Sequence, residues 1–279
     1  MWIDTHCHLD ITESFGIPIK IALENSKENS ISVIIQIATS EESSRWNQKF
    51  IQNYYLAPTD HVKVYYTIGL HPESIQQSKK EEIQQIQKLI QQSSDDPYFV
   101  GIGETGLDYF YNSETKELQL ESFFEHLQLA KKLELPIIVH CRDDKQYNEE
   151  KTEAIEEIFR LAKEVSYPNG IMHCYTYSYK EAKWFLELDW KISFSGIVTF
   201  KNAKVIQEAA QKIPLENLLI ETDSPFLAPV PKRGKTNEPA NLIYIGEFIA
   251  NLRNIPKEEF LLQLQKNVKE TFKKISIEK

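Results

Sequence analysis

Residues 136–141 read PIIVHC and residues 170–175 read GIMHCY: two short apolar runs, each ending in a histidine followed by a cysteine. A brief unbroken apolar run fits a strand buried on both faces, as in a parallel sheet covered by helices. Working outward, similar apolar or β-branched runs occur at 2–8, 32–38, 62–70, 98–104, 191–195 and 218–223, which makes eight candidate strands. The segments between them have helical periodicity or composition. Leu118, Phe123, Phe124, Leu127, Leu129 and Ala130 mark one amphipathic helix, and Ile155, Ile158, Phe159 and Ala162 mark another. Two more helices are expected after the last strand, at 242–252 and 257–274, and the Gln-rich stretch 76–92 reads as a polar helix or loop. Strands alternating with helices pair in parallel through right-handed crossovers. An open doubly wound sheet alternates in the same way. The count of eight, and ligand-type residues spread over five strands, favour an α/β fold of the (β/α)₈ or TIM-barrel kind with extra C-terminal helices. No linker, repeat or low-complexity tract interrupts residues 1–279, so the expectation is one domain.

The 279 residues are 41% hydrophobic and 26% charged, an ordinary globular balance. A net charge of −9 argues against a surface that grips nucleic acid everywhere. It leaves room for local phosphate contacts, because bound cations add positive charge where acidic ligands cluster. Three cysteines without a C-x-x-C pair suit a reducing compartment. The start, MWIDTHCHLD, lacks a basic stretch followed by an apolar one, and no apolar run is long enough to span a membrane. The expectation is a soluble cytoplasmic protein, not membrane-bound, with no sign of an obligate protein partner.

Seven histidines stand at 6, 8, 61, 71, 126, 140 and 173, and all but His61 and His126 fall at or just after the end of a candidate strand. Barrels of this kind build their active sites at that rim. His6 and His8 form H-x-H on a strand, so both imidazoles face one side and can share a metal. Glu104, in GIGETGLDYF, has glycines near it that free the backbone, and its two oxygens can bridge two cations. His140 and His173 close their strands; either alone could be a satisfied core histidine. Asp223, in LLIETDSP, can bind a metal and accept a proton from water. Glu221 points the same way one layer deeper, where a buried carboxylate must be paired. Cys7, Cys141 and Cys174 each follow a candidate ligand histidine, and alternation turns them toward the helices as core thiols. Nitrogen and oxygen donors remain, a set that suits Mg²⁺, Mn²⁺ or Zn²⁺. Two such ions would lower the pKa of a shared water and stabilise both attacking and leaving oxygens. Arg142 and His71 are candidates to contact substrate oxygens, against the plainer readings of a surface salt bridge and a turn residue before Pro72. The loop PVPKRGKTNEP adds Lys232, Arg233 and Lys235 near the barrel mouth, where they could bind phosphate.

The motifs DTHCHLD, IGLHPE, GETGLDY, PIIVHCRD, HCYT, SFSG, ETDSPFLAP and RGKTNEP run the length of the chain in this order. Together the sequence resembles the TatD-type metal-dependent deoxyribonucleases of the amidohydrolase-like barrel superfamily. The resemblance implies a binuclear site, with His6, His8 and Asp223 on one metal, His140 and His173 on the other, and Glu104 between them. It also implies hydrolysis of DNA phosphodiester bonds, often as a 3′-to-5′ exonuclease using Mg²⁺ or Mn²⁺, with DNA as the partner. The chain departs from the family pattern at His126, where Gln is common, at Asp144, where alanine is common, and at Thr236, where a basic residue is frequent. Rival readings are a binuclear amidohydrolase or esterase for a small molecule or aminoacyl ester, and a metal-binding scaffold without turnover.

Overall fold

Each of the eight candidate strands forms in a computed structural model that describes residues 1–56, 62–76, 80–143 and 152–277. The elements in chain order are β1 (Trp2–Cys7), α1 (Leu9–Thr12), α2 (Ile19–Glu28), β2 (Ile31–Gln36), α3 (Glu41–Leu56), β3 (Lys63–Ile68), α4 (Lys80–Gln92), β4 (Phe99–Asp108) and α5 (Lys116–Leu133). They continue as β5 (Ile137–Arg142), α6 (Glu153–Val165), β6 (Gly170–Met172), α7 (Tyr179–Leu186), β7 (Lys191–Phe194), α8 (Lys204–Lys212), β8 (Leu218–Ile220), α9 (Leu242–Leu252) and α10 (Lys257–Thr271). His61, residues 77–79 of the Gln-rich stretch and Asp144 lie outside the described residues.

The strands pair in parallel in the order β1 to β8. The ring closes where residues near β8 return to β1: Thr5 Oγ1 donates to Ile220 O at 2.9 Å, and Asp223 N donates to His6 O at 2.9 Å. This is a (β/α)₈ barrel, as the count of strands implied.

Two apolar layers hold it. Inside the ring, Ile3, Val33, Tyr65, Val100, Ile138, Ile171 and Leu219 pack with Val268, Phe272 and Ile275. Between ring and helices lies a larger layer that includes Trp2, Tyr66, Phe99, Phe123, Phe185 and Trp190. The chain after α10 runs beneath the N-terminal ends of the strands. Lys274 Nζ donates to Ser94 O at 2.8 Å and Asp96 O at 3.0 Å, and Ser276 N donates to the Tyr65 hydroxyl at 3.1 Å. Among the described residues these contacts close that end of the barrel, and the open cleft lies at the other.

Three strand ends differ from the sequence expectation by three residues or more. β4 runs on to Asp108, past 104, because Gly103 and Gly106 let it lie against β5 with no side chain between. β6 and β8 stop early, at Met172 and Ile220, and left-handed backbone at Cys174 and Asp223 (φ 43° and 54°) makes the pairing beyond them irregular.

Candidate metal centre

The C-terminal strand ends bring six of the proposed residues and His71 to one place. His6 lies on β1 and His8 just beyond it, Glu104 on β4, and His140 on β5. His173 follows β6 and Asp223 lies in the turn after β8. The centre is Glu104, which is 3% exposed. Its Oε2 lies 3.3 Å from His6 Nε2 and 3.9 Å from His8 Nε2. Its Oε1 lies 2.8 Å from His173 Nε2, 3.1 Å from His140 Nδ1 and 3.4 Å from His71 Nε2. Asp223 Oδ1 faces His8 Nε2 at 3.4 Å and His6 Nε2 at 3.7 Å. One carboxylate thus turns its two oxygens to two different sets of imidazoles.

Neighbouring groups fix these side chains. Glu221 Oε1 faces His173 Nδ1 at 3.2 Å and accepts from Cys174 N at 2.5 Å, while Oε2 accepts from the Ser193 hydroxyl at 2.6 Å. Glu221 is therefore paired, as its depth required, and leaves His173 Nε2 free to bind a cation. Asp108 Oδ2 stands 2.9 Å from His140 Nε2 and does the same on the other side. Sequence reasoning passed over Asp108, although it sits two residues past Gly106 on the strand paired with His140. Asn237, in the NEP motif, was also missed. Buried, it donates to Thr222 O at 2.9 Å and Phe226 O at 2.7 Å, clamping the turn that carries Asp223.

The charges reinforce one another. Burial opposes ionisation of Glu104, but the histidines around it hold its carboxyl well below the usual range. Burial likewise opposes protonation of His173, yet Glu104 and Glu221 drive it well above an ordinary imidazole. His8 behaves in the same way: pairing with Asp223 outweighs burial and pushes it up to about 9. His6, by contrast, is lowered by burial and by the cationic His173, whose ring stacks on it at 3.9 Å. Concentrated anionic oxygens facing imidazoles are what a divalent cation needs, with the cation replacing the protons.

Among the described residues, three donor groups lie within 4.8 Å: His6, His8 and Asp223; His6, Glu104 and His173; His71, Glu104 and His140. None includes a cysteine, so the donor chemistry is nitrogen and oxygen, and it fits hard or borderline divalent ions. His71 differs from the other histidines. Its Nδ1 accepts from Glu73 N at 3.1 Å, so a neutral ring carries its proton on Nε2. That is the state of a hydrogen-bond donor rather than of a metal ligand.

All of these donor residues except the fully buried His6 line a cleft of about 910 Å³ whose walls include Arg142, Phe110, Tyr111 and Phe226. Arg142 lies over the rings of Phe110 and Tyr111 at 4.3 and 4.4 Å, at the rim. Arg233 is not brought into this lining; it stacks on Phe200 at 4.2 Å instead. The expectation for the cysteines holds for Cys7, which is fully buried in the outer core layer, and in part for Cys141, which packs against that layer. Cys141 and Cys174 border the cleft, where their sulfurs meet the Tyr177 and Ser195 hydroxyls at 3.2 and 3.1 Å. The left-handed turn at Cys174 breaks the alternation that would have turned it away.

The family model described as TatD related DNase matches residues 3–273. An uncharacterized metal-dependent hydrolase of Buchnera aphidicola subsp. Baizongia pistaciae is 37% identical over 274 residues, covering 97% of this chain and 95% of that protein. The uncharacterized metal-dependent hydrolase YcfH of Escherichia coli (strain K12) is 36% identical over 265 residues, covering 92% and 90%. The crystal structure of YJJV, a TatD homolog from Escherichia coli K12, superposes with a TM-score of 0.82 at 26% identity, covering 98% of both chains. The chain belongs to the TatD family of metal-dependent hydrolases.

Proposed function

We propose that the protein is a deoxyribonuclease that hydrolyses DNA phosphodiester bonds, trimming strands in the 3′-to-5′ direction with two divalent cations. The observation that carries this reading is the division of Glu104, one oxygen toward His6 and His8 and the other toward His140 and His173. Such a carboxylate suits a pair of cations, with His6, His8 and Asp223 holding one and His140 and His173 the other. Bound Mg²⁺, Mn²⁺ or Zn²⁺ supplies Lewis-acid activation of water and neutralises phosphoryl charge.

The chain's own groups do the rest. Asp223, adjoining His8, accepts the proton of the attacking water. His71 donates Nε2–H to a phosphoryl oxygen, in keeping with its Nδ1 being occupied by Glu73 N. Arg142, at the rim, presents guanidinium edges to the phosphate while its face stays on the aromatic rings. Arg233, with Lys232 and Lys235 beside it in sequence, meets a phosphate further along the strand. This local cationic loop offsets a net charge of −9. We also read residues 1–279 as one domain working in a reducing cytoplasm, in keeping with a chain of only three cysteines and no C-x-x-C pair. Among the described residues, no helix is long and apolar enough to cross a membrane.

The test is cleavage of end-labelled single-stranded DNA with Mg²⁺ or Mn²⁺, beside Asp223→Ala and Glu104→Ala. Cleavage by the wild type and its loss in both variants is expected. Equal cleavage by all three proteins refutes the reading. Ester or amide turnover with DNA left intact would replace it with a binuclear amidohydrolase or esterase.

A further inference from the structure

The cleft has more exposed aromatic surface than a centre for phosphate chemistry needs. Within its lining Tyr111 is 58% exposed and Phe226 41%, and Phe15, outside the lining but against Phe226, is 44% exposed. Single exposed aromatic residues are ordinary, but aromatic side chains grouped at the edge of one cleft form a surface that a ligand can cover.

Their positions are ordered. Tyr111 follows β4, and Arg142 at the end of β5 lies over its ring at 4.4 Å and over Phe110 at 4.3 Å. Phe226 follows β8, and its ring meets Phe15, beyond α1, edge-on at 5.3 Å. In a ring ordered β1 to β8, the β4–β5 edge stands opposite the β8–β1 edge. The metal-donor residues lie between, and Phe226 and Tyr111 border the same cleft. Phe226 also lies 6.2 Å from His8, beside one of the donor groups.

From this arrangement we propose that Tyr111 with Arg142, and Phe226 with Phe15, form two stacking subsites that grip the bases on either side of the scissile phosphate. The proposal rests on the nuclease reading above and names the part of the substrate that the cleft recognises. Every base offers a π-face, so such subsites are tolerant of sequence, and the arginine adds cation–π attraction. A paired base is already stacked and cannot enter. The subsites therefore demand unpaired nucleotides on both sides of the bond that is cut.

The experiment uses an end-labelled single-stranded oligonucleotide with Mn²⁺, and a matched one carrying a single abasic residue inside. Cleavage is read bond by bond. The two bonds flanking the abasic residue each lack a base on one side. In the wild type both should be cut more slowly than the same bonds in the intact strand, by roughly five- to a hundredfold. Tyr111→Ala should slow every bond of the intact strand and erase the abasic effect at one flanking bond. Phe226→Ala should erase it at the other. Tyr111→Phe keeps the ring and should behave as wild type, a rescue that a merely structural role would not single out at one bond.

Flanking bonds cut as fast as all others by the wild type would overturn the stacking proposal and leave the nuclease reading standing. Alanine variants that keep the whole abasic effect would do the same. An oligonucleotide left uncut by the wild type would overturn both.

Discussion

Replacing Gly106 with alanine tests whether the glycine of the GETGLDY motif serves the fold and the centre together. Gly106 has φ 139°, a region that L side chains rarely adopt. A Cβ built there would stand 2.0 Å from His140 O and 3.0 Å from both the carbonyl carbon and the nitrogen of His140. Real contacts of this kind do not fall below about 3 Å, so β5 would have to move by about an ångström at His140 itself. The backbone strain costs about 1–3 kcal/mol and the overpacking about 1–3 kcal/mol more. Gly106→Ala should therefore lose about 2–6 kcal/mol, seen in thermal unfolding as a fall of roughly 5–20 °C for a chain of this length. Displacing a ligand by an ångström costs about a hundredfold in rate, so metal-dependent turnover should fall by that order in whatever protein remains folded. Gly234→Ala is the control. Its φ is 85°, but nothing lies within 4 Å of the added carbon, so only backbone strain of about 1 kcal/mol applies. A Gly106→Ala protein that melts and turns over like Gly234→Ala would refute the claim that contact with His140 matters.

Three further outcomes are expected. Glu221→Gln removes the charge behind His173 and should weaken metal binding about 10- to 100-fold in a metal titration while the fold persists; unchanged affinity would show that Glu221 serves packing alone. His8 is pushed up to about 9, so in the metal-free protein its proton stabilises the fold fully below about pH 6.5 and is lost as the pH rises through about 9. Because a cation must displace that proton, apparent metal affinity should rise about tenfold per pH unit between those limits, with proton release in calorimetry run in two buffers; affinity independent of pH would contradict it. Phe272 is fully buried among the interior residues of the barrel. Phe272→Ala should cost about 3–5 kcal/mol in urea unfolding, and a loss below 1 kcal/mol would mean that the seal is not part of the core.

The barrel was legible because its strands are short apolar runs and because five histidines punctuate their ends. Period-two alternation also placed His6 and His8 on one face. What the pattern hid has physical causes. Glycines at 103 and 106 disguise the continuation of β4, so a strand expected to end at 104 leaves Asp108 unassigned and its pairing with His140 unseen. Left-handed residues such as Cys174 make strand pairing irregular and redirect a side chain, and nothing in composition marks them. His71 shows a different limit. Its place near the centre was legible, but only the hydrogen bond from Glu73 N shows which ring nitrogen faces Glu104. Arg233 lay in a loop whose course no periodicity fixes, and Phe200 holds it away from the cleft lining.

The seal under the barrel also bears on how the chain comes to exist as a folded molecule. Val268, Phe272 and Ile275 complete an interior that residues from β1 onward begin, and the ring itself is joined by Asp4, whose carboxylate accepts from Thr222 N at 2.9 Å. A nascent chain therefore makes all eight strands before the residues that close the interior have been synthesised. Until then its inner apolar face is open to water and to other chains. Contacts this remote in sequence form slowly, so the protein passes its most aggregation-prone interval on or near the ribosome, waiting for α10.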